Sequence, residues 1–449
     1  MNIGIIGTGY VGLVTAVCFA KFGHNVICVD KDETKVQKLL AGEIPIYEPG
    51  LDVLLDQVKK AGKISFTTDT AQGVKNADIV MLAVGTPTDV KNKRVDLSYV
   101  YAAAEHIALH LKSGAVVVTK STVPVGTSRE VQRIIKTMNP SLEFSVASNP
   151  EFLREGSAIA DFMKPERIVI GADNRKTLDK VTGLYQVLVQ QSVPVVAVGL
   201  ESSELIKYTA NALLATKVAF INEIADLAEK CGANITDVVQ GVGLDARIGN
   251  KFLNPGPGYG GSCFPKDAQG LATAGSDHHV HMRIIEAVIS SNTQRKRAMA
   301  QKVAEACGGG LLGGKTIAVL GLAFKAETDD MRDAASIDIL NALHQKGAQL
   351  RCYDPKAMMA AKEMLPFIDL AEDAYSAIKG ADAAVILTEW PEFRDLALDK
   401  VYSLLKKPLV IDLRNIFDPA QMKQHGFHYV SVGRADILPQ MQEKLAKHA

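Results

Sequence analysis

Gly7-Thr-Gly9-Tyr-Val-Gly12 narrows the choice of fold more than any other stretch of this 449-residue chain. A lone G-x-G-x-x-G is a weak signal, but this one stands in the setting that gives it meaning. Ahead of it, Asn2 to Ile6 is β-rich with little alternation, as a parallel strand buried on both faces should be. After it the pattern predicts a helix to about Phe22 with Gly23 as its stop, then a strand from Asn25 to Val29 that ends in Asp30. Strand, glycine turn, helix and strand, with an acidic residue about 20 positions on, make a dinucleotide-binding unit. The glycines permit a tight turn and a close approach of pyrophosphate to the helix N-terminus. Asp30 can accept hydrogen bonds from adenine-ribose hydroxyls and should repel a 2′-phosphate. NAD is therefore the expected cofactor rather than NADP, a preference that Lys31 and Lys35 weaken slightly.

The alternation continues with strands predicted at Asp78 to Val84, Ala115 to Thr119, Phe144 to Ala147, Ile168 to Gly171 and Val193 to Val198. Ligands of doubly wound sheets gather outside the carboxyl ends of strands. Three turns should face them: Gly85 to Thr88, Lys120 to Pro124 and Ser148 to Gly156. Glu151 and Glu155 lie four apart in the last of these; on a helix they would share a face and point into one pocket. Two solvated carboxylates are the bland alternative. Ser202 to Lys230 contains no glycine or proline and predicts a helix of about 43 Å. Ser202 or Ser203 would cap it and Gly232 would end it. Its apolar residues occupy more than one face, which calls for burial on two sides, by domains or by a second subunit. Lys207 and Asn211, one turn apart on it, are donors able to hold a developing oxyanion, although a solvated lysine is the commoner case.

The chemistry-bearing stretch is Gly258-Tyr-Gly-Gly-Ser-Cys-Phe-Pro-Lys-Asp267. It follows a loop, Asn254 to Gly261, too rich in glycine and proline for a regular element. Pro265 should hold Phe264 extended, and a helix should open at Asp267 and run to Ala274. Cys263 then sits just ahead of a helix N-terminus, where the dipole and Lys266 favour a thiolate. Cys263 is the candidate nucleophile; a small buried cysteine in a glycine loop is the competing reading. The other five cysteines show no C-x-x-C pair and no metal spacing, so reduced intracellular thiols are expected. His278, His279 and His281 cluster without an acidic or thiol ligand at matching spacing, so no metal is expected.

Glu305 to Lys315 carries five glycines and reads as a linker, after which the rhythm of the first domain returns. Strands are predicted at Thr316 to Leu320, Gln349 to Tyr353, Ala383 to Leu387, Leu409 to Leu413 and His428 to Val432, with a helix from Ser336 to Lys346. Asp354 ends the second of these strands as Asp30 does in the first domain, but the second and third glycines are missing. Lys325 and Arg332 stand there instead, and cations can bind a pyrophosphate as well as backbone N–H groups can. The fold class is α/β: two doubly wound Rossmann-like domains joined by a central helical segment with one long helix. The expected domains are 1–200, 201–304 and 305–449. A second nucleotide-binding fold implies a second nucleotide, and a nucleotide sugar fits.

Fifty basic and fifty acidic residues cancel, so no global field recruits nucleic acid or anionic membrane. Ile3 to Ala20 imitates a signal peptide but lacks a positive n-region, and no other run is long and apolar enough to span a bilayer. A cytoplasmic location is expected.

These motifs together resemble the UDP-glucose/GDP-mannose dehydrogenase family over essentially the whole chain. The resemblance rests on Gly7 to Gly12, Ser121-Thr-Val-Pro124, Asn149-Pro-Glu-Phe-Leu-Arg-Glu155, Lys207-Tyr-Thr-x-Asn211, Gly260 to Asp267 and Gly321-Leu-Ala-Phe-Lys325. It implies two successive oxidations of the primary alcohol of a sugar nucleotide, consuming two NAD⁺ and giving the uronic acid. UDP-glucose is the substrate favoured by resemblance, on Phe264 and the loop 252–258; GDP-mannose or another nucleotide sugar is the alternative. By resemblance Cys263 forms a thiohemiacetal and then a thioester, and Asp267 orients and deprotonates water with help from Thr122 and Glu151. Lys207 and Asn211 match the oxyanion donors. Gly7, Gly9, Tyr10, Val11, Gly12, Asp30, Lys35, Thr86, Thr122, Glu155, Lys266 and Arg332 match cofactor positions. Glu151, Phe152, Leu153, Glu155, Lys207, Asn211, Phe252, Asn254, Gly256, Tyr259, Gly260, Lys325 and Arg414 match sugar-nucleotide positions. Arg247 would reach the active site of a neighbouring subunit, which implies a homodimer built on the long helix. A non-catalytic nucleotide sensor would need no thiol, lysine and asparagine together.

Overall fold

Strands that are apolar on both faces must be covered by crossover helices on both sides. The computed structural model, which describes residues 1–89 and 93–439, meets that demand in two separate sheets. The chain divides into two compact units, Met1–Ala210 with Gln269–His281, and Asn211–Ala268 with the chain from Met282 onward.

The first unit holds β1 (Asn2–Ile6), β2 (Asn25–Val29), β3 (Ile64–Thr67), β4 (Ile79–Leu82), β5 (Ala115–Thr119), β6 (Phe144–Ser148), β7 (Ile168–Ala172) and β8 (Val195–Val198). Their order in the sheet is β3-β2-β1-β4-β5-β6-β7-β8. All neighbours are parallel except β6 and β7. The order reverses between β1 and β4, the switch point where doubly wound sheets bind their ligands. Ile6 lies between Val29 and Leu82, so the glycine turn leaves the sheet at that point.

The second unit holds β9 (Thr316–Leu320), β10 (Gln349–Tyr353), β11 (Asp369–Leu370), β12 (Ala383–Ile386), β13 (Leu409–Asp412) and β14 (His428–Ser431). All are parallel, in the order β11-β10-β9-β12-β13-β14. That is the 3-2-1-4-5-6 arrangement of a dinucleotide-binding sheet. The fold is therefore α/β with two Rossmann-like sheets and a long helix between them in sequence.

That helix, Leu200–Cys231, runs for 32 residues. It starts earlier than the pattern predicts: Ser203 N–H donates to the Gly199 carbonyl, so the chain is already helical where Ser202 and Ser203 were expected to cap it. Ser203 is buried and gives its hydroxyl to the Ser148 carbonyl at 3.3 Å. Gly232, with φ +78°, ends the helix as expected. Leu213, Phe220 and Leu227, seven residues apart along it, are 60%, 55% and 60% exposed. No helix of the described residues is long and apolar enough to cross a membrane.

Candidate active site

In the first unit, glycine at positions 7 and 12 is a steric requirement. Gly7 has φ +101°, and a Cβ there would lie 2.6 Å from the Ala83 carbonyl oxygen. A Cβ on Gly12 would come within 2.0 Å of the Gly7 oxygen. Gly9 differs, with nothing within 4 Å of where its Cβ would be, so the helix Tyr10–Lys21 starts beneath open space suited to a pyrophosphate. Asp30 accepts the Thr8 N–H at 2.8 Å and the Thr8 hydroxyl at 2.6 Å through one oxygen, and the Asp32 N–H at 3.1 Å through the other. Burial raises the Asp30 carboxyl, but these hydrogen bonds, with the charge of Lys35, outweigh it and hold the group below the ordinary carboxylate range. The donor set fits an NAD adenosine: an ionised, half-buried acceptor after β2 and a glycine turn after β1.

Tyr10 donates its hydroxyl to the buried carboxylate of Glu48, which also accepts the N–H groups of Gly156 at 2.8 Å and Ile159 at 3.3 Å. Glu48 so joins the cofactor helix to the loop that carries Glu155. Thr86 and Thr122 lie in the loops after β4 and β5, both half-buried. Ser121, beside Thr122, gives its hydroxyl to the Val84 carbonyl at 2.7 Å and ties these two loops together.

Glu151 and Glu155 do not share a helix face, because the segment is a loop and the next helix begins only at Ala158. Glu151 accepts the Leu153 N–H on its own carboxylate, and Gly156, with φ +80°, turns the chain away. The other Glu151 oxygen meets Lys207 Nζ at 3.0 Å, with the two side chains 6% and 4% exposed. Phe152 stacks under the Arg167 guanidinium at 3.8 Å and lies 5.3 Å from Lys207 Nζ. Lys207 is thus a buried cation on a buried carboxylate, unlike the solvated lysine that is commonest in helices.

The helix Phe264–Asp277, whose first turn belongs to the second unit, begins three residues earlier than expected. Asp267 N–H donates to the Cys263 carbonyl at 2.8 Å, which puts Cys263 at the N-cap. Pro265 falls in the first turn, where its missing N–H has no intrahelical partner to lose, so Phe264 is helical rather than extended. Ser262 Oγ lies 3.5 Å from Cys263 Sγ. One turn on, Asp267 is fully buried and accepts Asn211 Nδ2 at 2.6 Å and Lys266 Nζ at 2.7 Å on separate oxygens. Each predicted oxyanion donor therefore holds a carboxylate in its own unit, Lys207 on Glu151 and Asn211 on Asp267.

The loop before Cys263 is held by its backbone. Gly256 donates to Asn222 at 2.8 Å and accepts from Arg295 Nε at 2.9 Å, while both backbone groups of Tyr259 bond to the Asn292 amide at 2.8 and 3.0 Å. Gly260 and Gly261 press on residues much later in the chain but in the same unit: a Cβ on Gly260 would lie 2.4 Å from the Asp333 oxygen, and one on Gly261 2.8 Å from the Phe324 ring. Burial first, then the Asp333 charge, pushes the Tyr259 phenol up to about 12. Phe252, at φ +62°, packs on Phe264 with ring centroids 5.9 Å apart. Arg414 donates to the Leu387 and Phe324 carbonyls at 2.7 and 2.8 Å and comes within 3.4 Å of where a Gly256 Cβ would be. The loop carrying Gly256, Tyr259 and Gly260 is thus assembled beside Phe324-Lys325 and Arg414, which are far from it in sequence. Asn254 is exposed, Arg332 makes a two-pronged pair with Asp330 at 2.8 and 2.9 Å, and Arg247 is 88% exposed beside Asp245. Thr8, Glu48, Asn222, Asn292 and Arg295 were not foreseen. The available signal for the last three was a polar residue on the apolar face of a long helix.

Three family models match the chain in succession. The UDP-glucose/GDP-mannose dehydrogenase NAD binding domain covers residues 1–189, the central domain 201–294 and the UDP binding domain 318–419. A UDP-glucose 6-dehydrogenase of Rhizobium meliloti is 52% identical over 438 residues, 97% of this chain and 100% of that protein. A UDP-glucose dehydrogenase from the archaeon Pyrobaculum islandicum has a solved structure that matches with TM-score 0.89 at 36% identity, over 97% of this chain and 98% of that one. A UDP-D-ManNAc dehydrogenase from Pyrococcus horikoshii matches with TM-score 0.84 at 26% identity, over 97% and 100% of the respective chains.

Proposed function

Because the chain belongs to the UDP-glucose/GDP-mannose dehydrogenase family, we propose that this NAD-dependent oxidoreductase converts UDP-glucose to UDP-glucuronate with two NAD⁺ per substrate. The observation that carries this reading is the turn Cys263 to Asp267: a thiol at a helix N-cap and, one turn on, a buried carboxylate held by Asn211 and Lys266.

Bound NAD⁺ supplies the hydride acceptor for both oxidations, and the glycine turn with Asp30 would hold it. The first oxidation takes the C6 alcohol to an aldehyde. The second needs a C–H on a tetrahedral carbon, because a hydride does not leave directly from a carbonyl at the acid level. Addition of the Cys263 thiolate forms a C–S bond and moves the carbonyl electron pair onto oxygen, giving a thiohemiacetal. Loss of hydride from that carbon leaves a thioester. Water then attacks, Asp267 takes its proton, and the thiolate departs as the carboxylate forms; Thr122 and Glu151 assist. Lys207 and Asn211 donate to the oxyanions, and losing one such donor typically costs about 3–4 kcal/mol.

Lys325, Arg414 and the loop 252–260 would bind the nucleotide sugar. The exposed stripe of Leu213, Phe220 and Leu227, at the seven-residue spacing of a helix-pairing seam, supports a homodimer. The exposure of Arg247 suits its reaching a neighbouring subunit. The three-part division 1–200, 201–304 and 305–449 and a cytoplasmic location complete this reading, and the described cysteines, none in a disulfide, accord with the second.

A mass-spectrometric screen of sugar nucleotides with NAD⁺ tests it. UDP-glucose should be consumed with two NADH per uronate and no free aldehyde. Preferred turnover of GDP-mannose or another nucleotide sugar would replace the substrate, and binding without turnover of any would leave a nucleotide sensor.

A further inference from the structure

Residues 254–261 include four glycines and two prolines, and glycine loses more conformational freedom on ordering than any other residue type. Residues 256–261 are nevertheless buried, and two helices of the same unit hold them from outside. On the helix Leu200–Cys231, Asn222 accepts the Gly256 N–H at 2.8 Å. On the helix Arg283–Ala306, Arg295 Nε donates to the Gly256 carbonyl at 2.9 Å. Asn292, one turn before it, takes both backbone groups of Tyr259, accepting the N–H at 2.8 Å and donating to the carbonyl at 3.0 Å. Arg295 also donates through Nη1 to Asp226, which ties the two helices together.

Asn292, Arg295 and Lys296 stand three and four residues apart and so share one helix face. Gly258, with φ +120°, lies against that face: a Cβ there would come 3.0 Å from Asn292 Oδ1 and 3.2 Å from Lys296 Cγ. Lys296 Nζ donates to the Asp333 carbonyl at 2.9 Å, the group on which Gly260 packs, and pairs with Asp338 at 3.1 Å. One helix face therefore sets both the glycine loop and the end of the segment that carries Lys325 and Arg332. The arrangement is costly. Asn222, Asn292 and Arg295 are all buried, and among the described residues Asn222 Nδ2 and Arg295 Nη2 find no hydrogen-bond partner. A loop that had only to cover the core could be regular and apolar, without that cost. A glycine backbone held in one shape by polar side chains suits a ligand that must approach it closely.

We propose that Asn292, with Arg295 and Lys296 beside it, is a positioning residue that holds the loop 254–261 in its ligand-ready shape before the nucleotide sugar arrives. This rests on the reading that the loop binds the nucleotide sugar. Pre-organisation raises affinity by removing an ordering cost from the binding step, and ordering one backbone residue is worth about a factor of ten. That cost falls on the ground state and the transition state alike, so losing the clamp raises KM and leaves kcat in place.

The test is calorimetry of UDP-glucose and of NAD⁺, with kcat and KM, on wild type, Asn292→Ala, Lys296→Met and Val303→Ala, and a thermal midpoint for each. Asn292→Ala should weaken UDP-glucose binding and raise its KM by about tenfold, with kcat within about twofold and NAD⁺ affinity unchanged. Hydrogen exchange should show residues 256–261 exchanging faster in this variant and recovering protection when UDP-glucose saturates it. Lys296→Met releases only the Asp333 side, so it should shift the same quantities by about threefold, and it reports even if Asn292→Ala does not fold. Val303 is fully buried further along the same helix, and Val303→Ala should lower the midpoint with UDP-glucose affinity unchanged. A lower midpoint with unchanged UDP-glucose affinity in both clamp variants, an equal loss for NAD⁺, or a fall in kcat at unchanged KM would overturn the inference and leave this helix face a structural anchor. Wild type that binds no UDP-glucose would instead overturn the parent reading, and the inference with it.

Discussion

The two sheets share a strand order and the first glycine of a nucleotide-binding turn, then part company. Gly7 and Gly321 both leave their strands with left-handed φ, +101° and +93°, where a Cβ would strike the neighbouring chain at 2.6 and 2.4 Å. After Gly7 the helix starts at once, at Tyr10, and its unpaired N–H groups can meet a phosphate. After Gly321, residues 322–334, Lys325 among them, intervene before the helix Ala335–Gln345. The aspartates diverge in the same way. Asp30 is half-buried and held by Thr8 and Asp32, while Asp354 is fully buried and accepts five donors: the N–H groups of Leu322, Ala323, Lys356 and Ala357, and Trp390 Nε1. On the proposed assignment one topology serves two ligands, with the acidic residue left beside the glycine turn in the first sheet and consumed in tying the fold in the second.

Replacing Asp354 should produce the largest effect. Asp354→Ala strands buried donors and should lower stability by about 3–5 kcal/mol in urea unfolding, with NAD⁺ affinity of the folded fraction unchanged. Near-normal stability with lost nucleotide binding would erase the distinction from Asp30. Gly12→Ala drives a Cβ into the Gly7 carbonyl and should weaken NAD⁺ binding by about 100-fold, the upper part of the range for overpacking, while UDP still binds. Titration by NADH fluorescence measures this. Asp30→Ala should narrow the preference for NAD⁺ over NADP⁺ by about tenfold in kcat/KM, since one charge repulsion is removed. Equal wild-type use of both cofactors would contradict it.

The smallest effect concerns pH. The folded-state pKa of Asp30 is depressed, so its stabilisation is present above the ordinary carboxylate range and is lost as pH falls through that range toward the folded value. The group is half-exposed, so the stability difference between wild type and Asp30→Ala should change by less than about 1 kcal/mol between neutral and acid pH. A difference that grew on acidification would have the wrong sign.

The sequence makes the central strands and the reactive motifs plain, because buried parallel strands are apolar runs with glycine stops: the spans expected for β1, β2, β9 and β10 coincide with those observed. The edge strands β3 and β11 escape notice because they are short and partly polar, as edges tend to be. Spacing misleads at Glu151 and Glu155, since it counts residues and is blind to the Leu153 N–H that closes on the Glu151 carboxylate. It also places the helix after Cys263 too late, because Pro265 reads as a barrier when it is a first-turn residue. Asp354 resembles Asp30 by position alone; only its five donors reveal the difference. Glu48 has no local signal, because it acts across long separations in sequence, to Tyr10, Gly156 and Ile159.

The division of ligands between the sheets is tested most directly by calorimetry of UDP and NAD⁺ on wild type and Lys325→Ala. The lost ammonium should weaken UDP binding by about tenfold or more, as for a charged phosphate contact, and leave NAD⁺ binding unchanged. Unchanged UDP affinity, or a parallel loss for both ligands, would contradict the assignment of the nucleotide sugar to the second sheet.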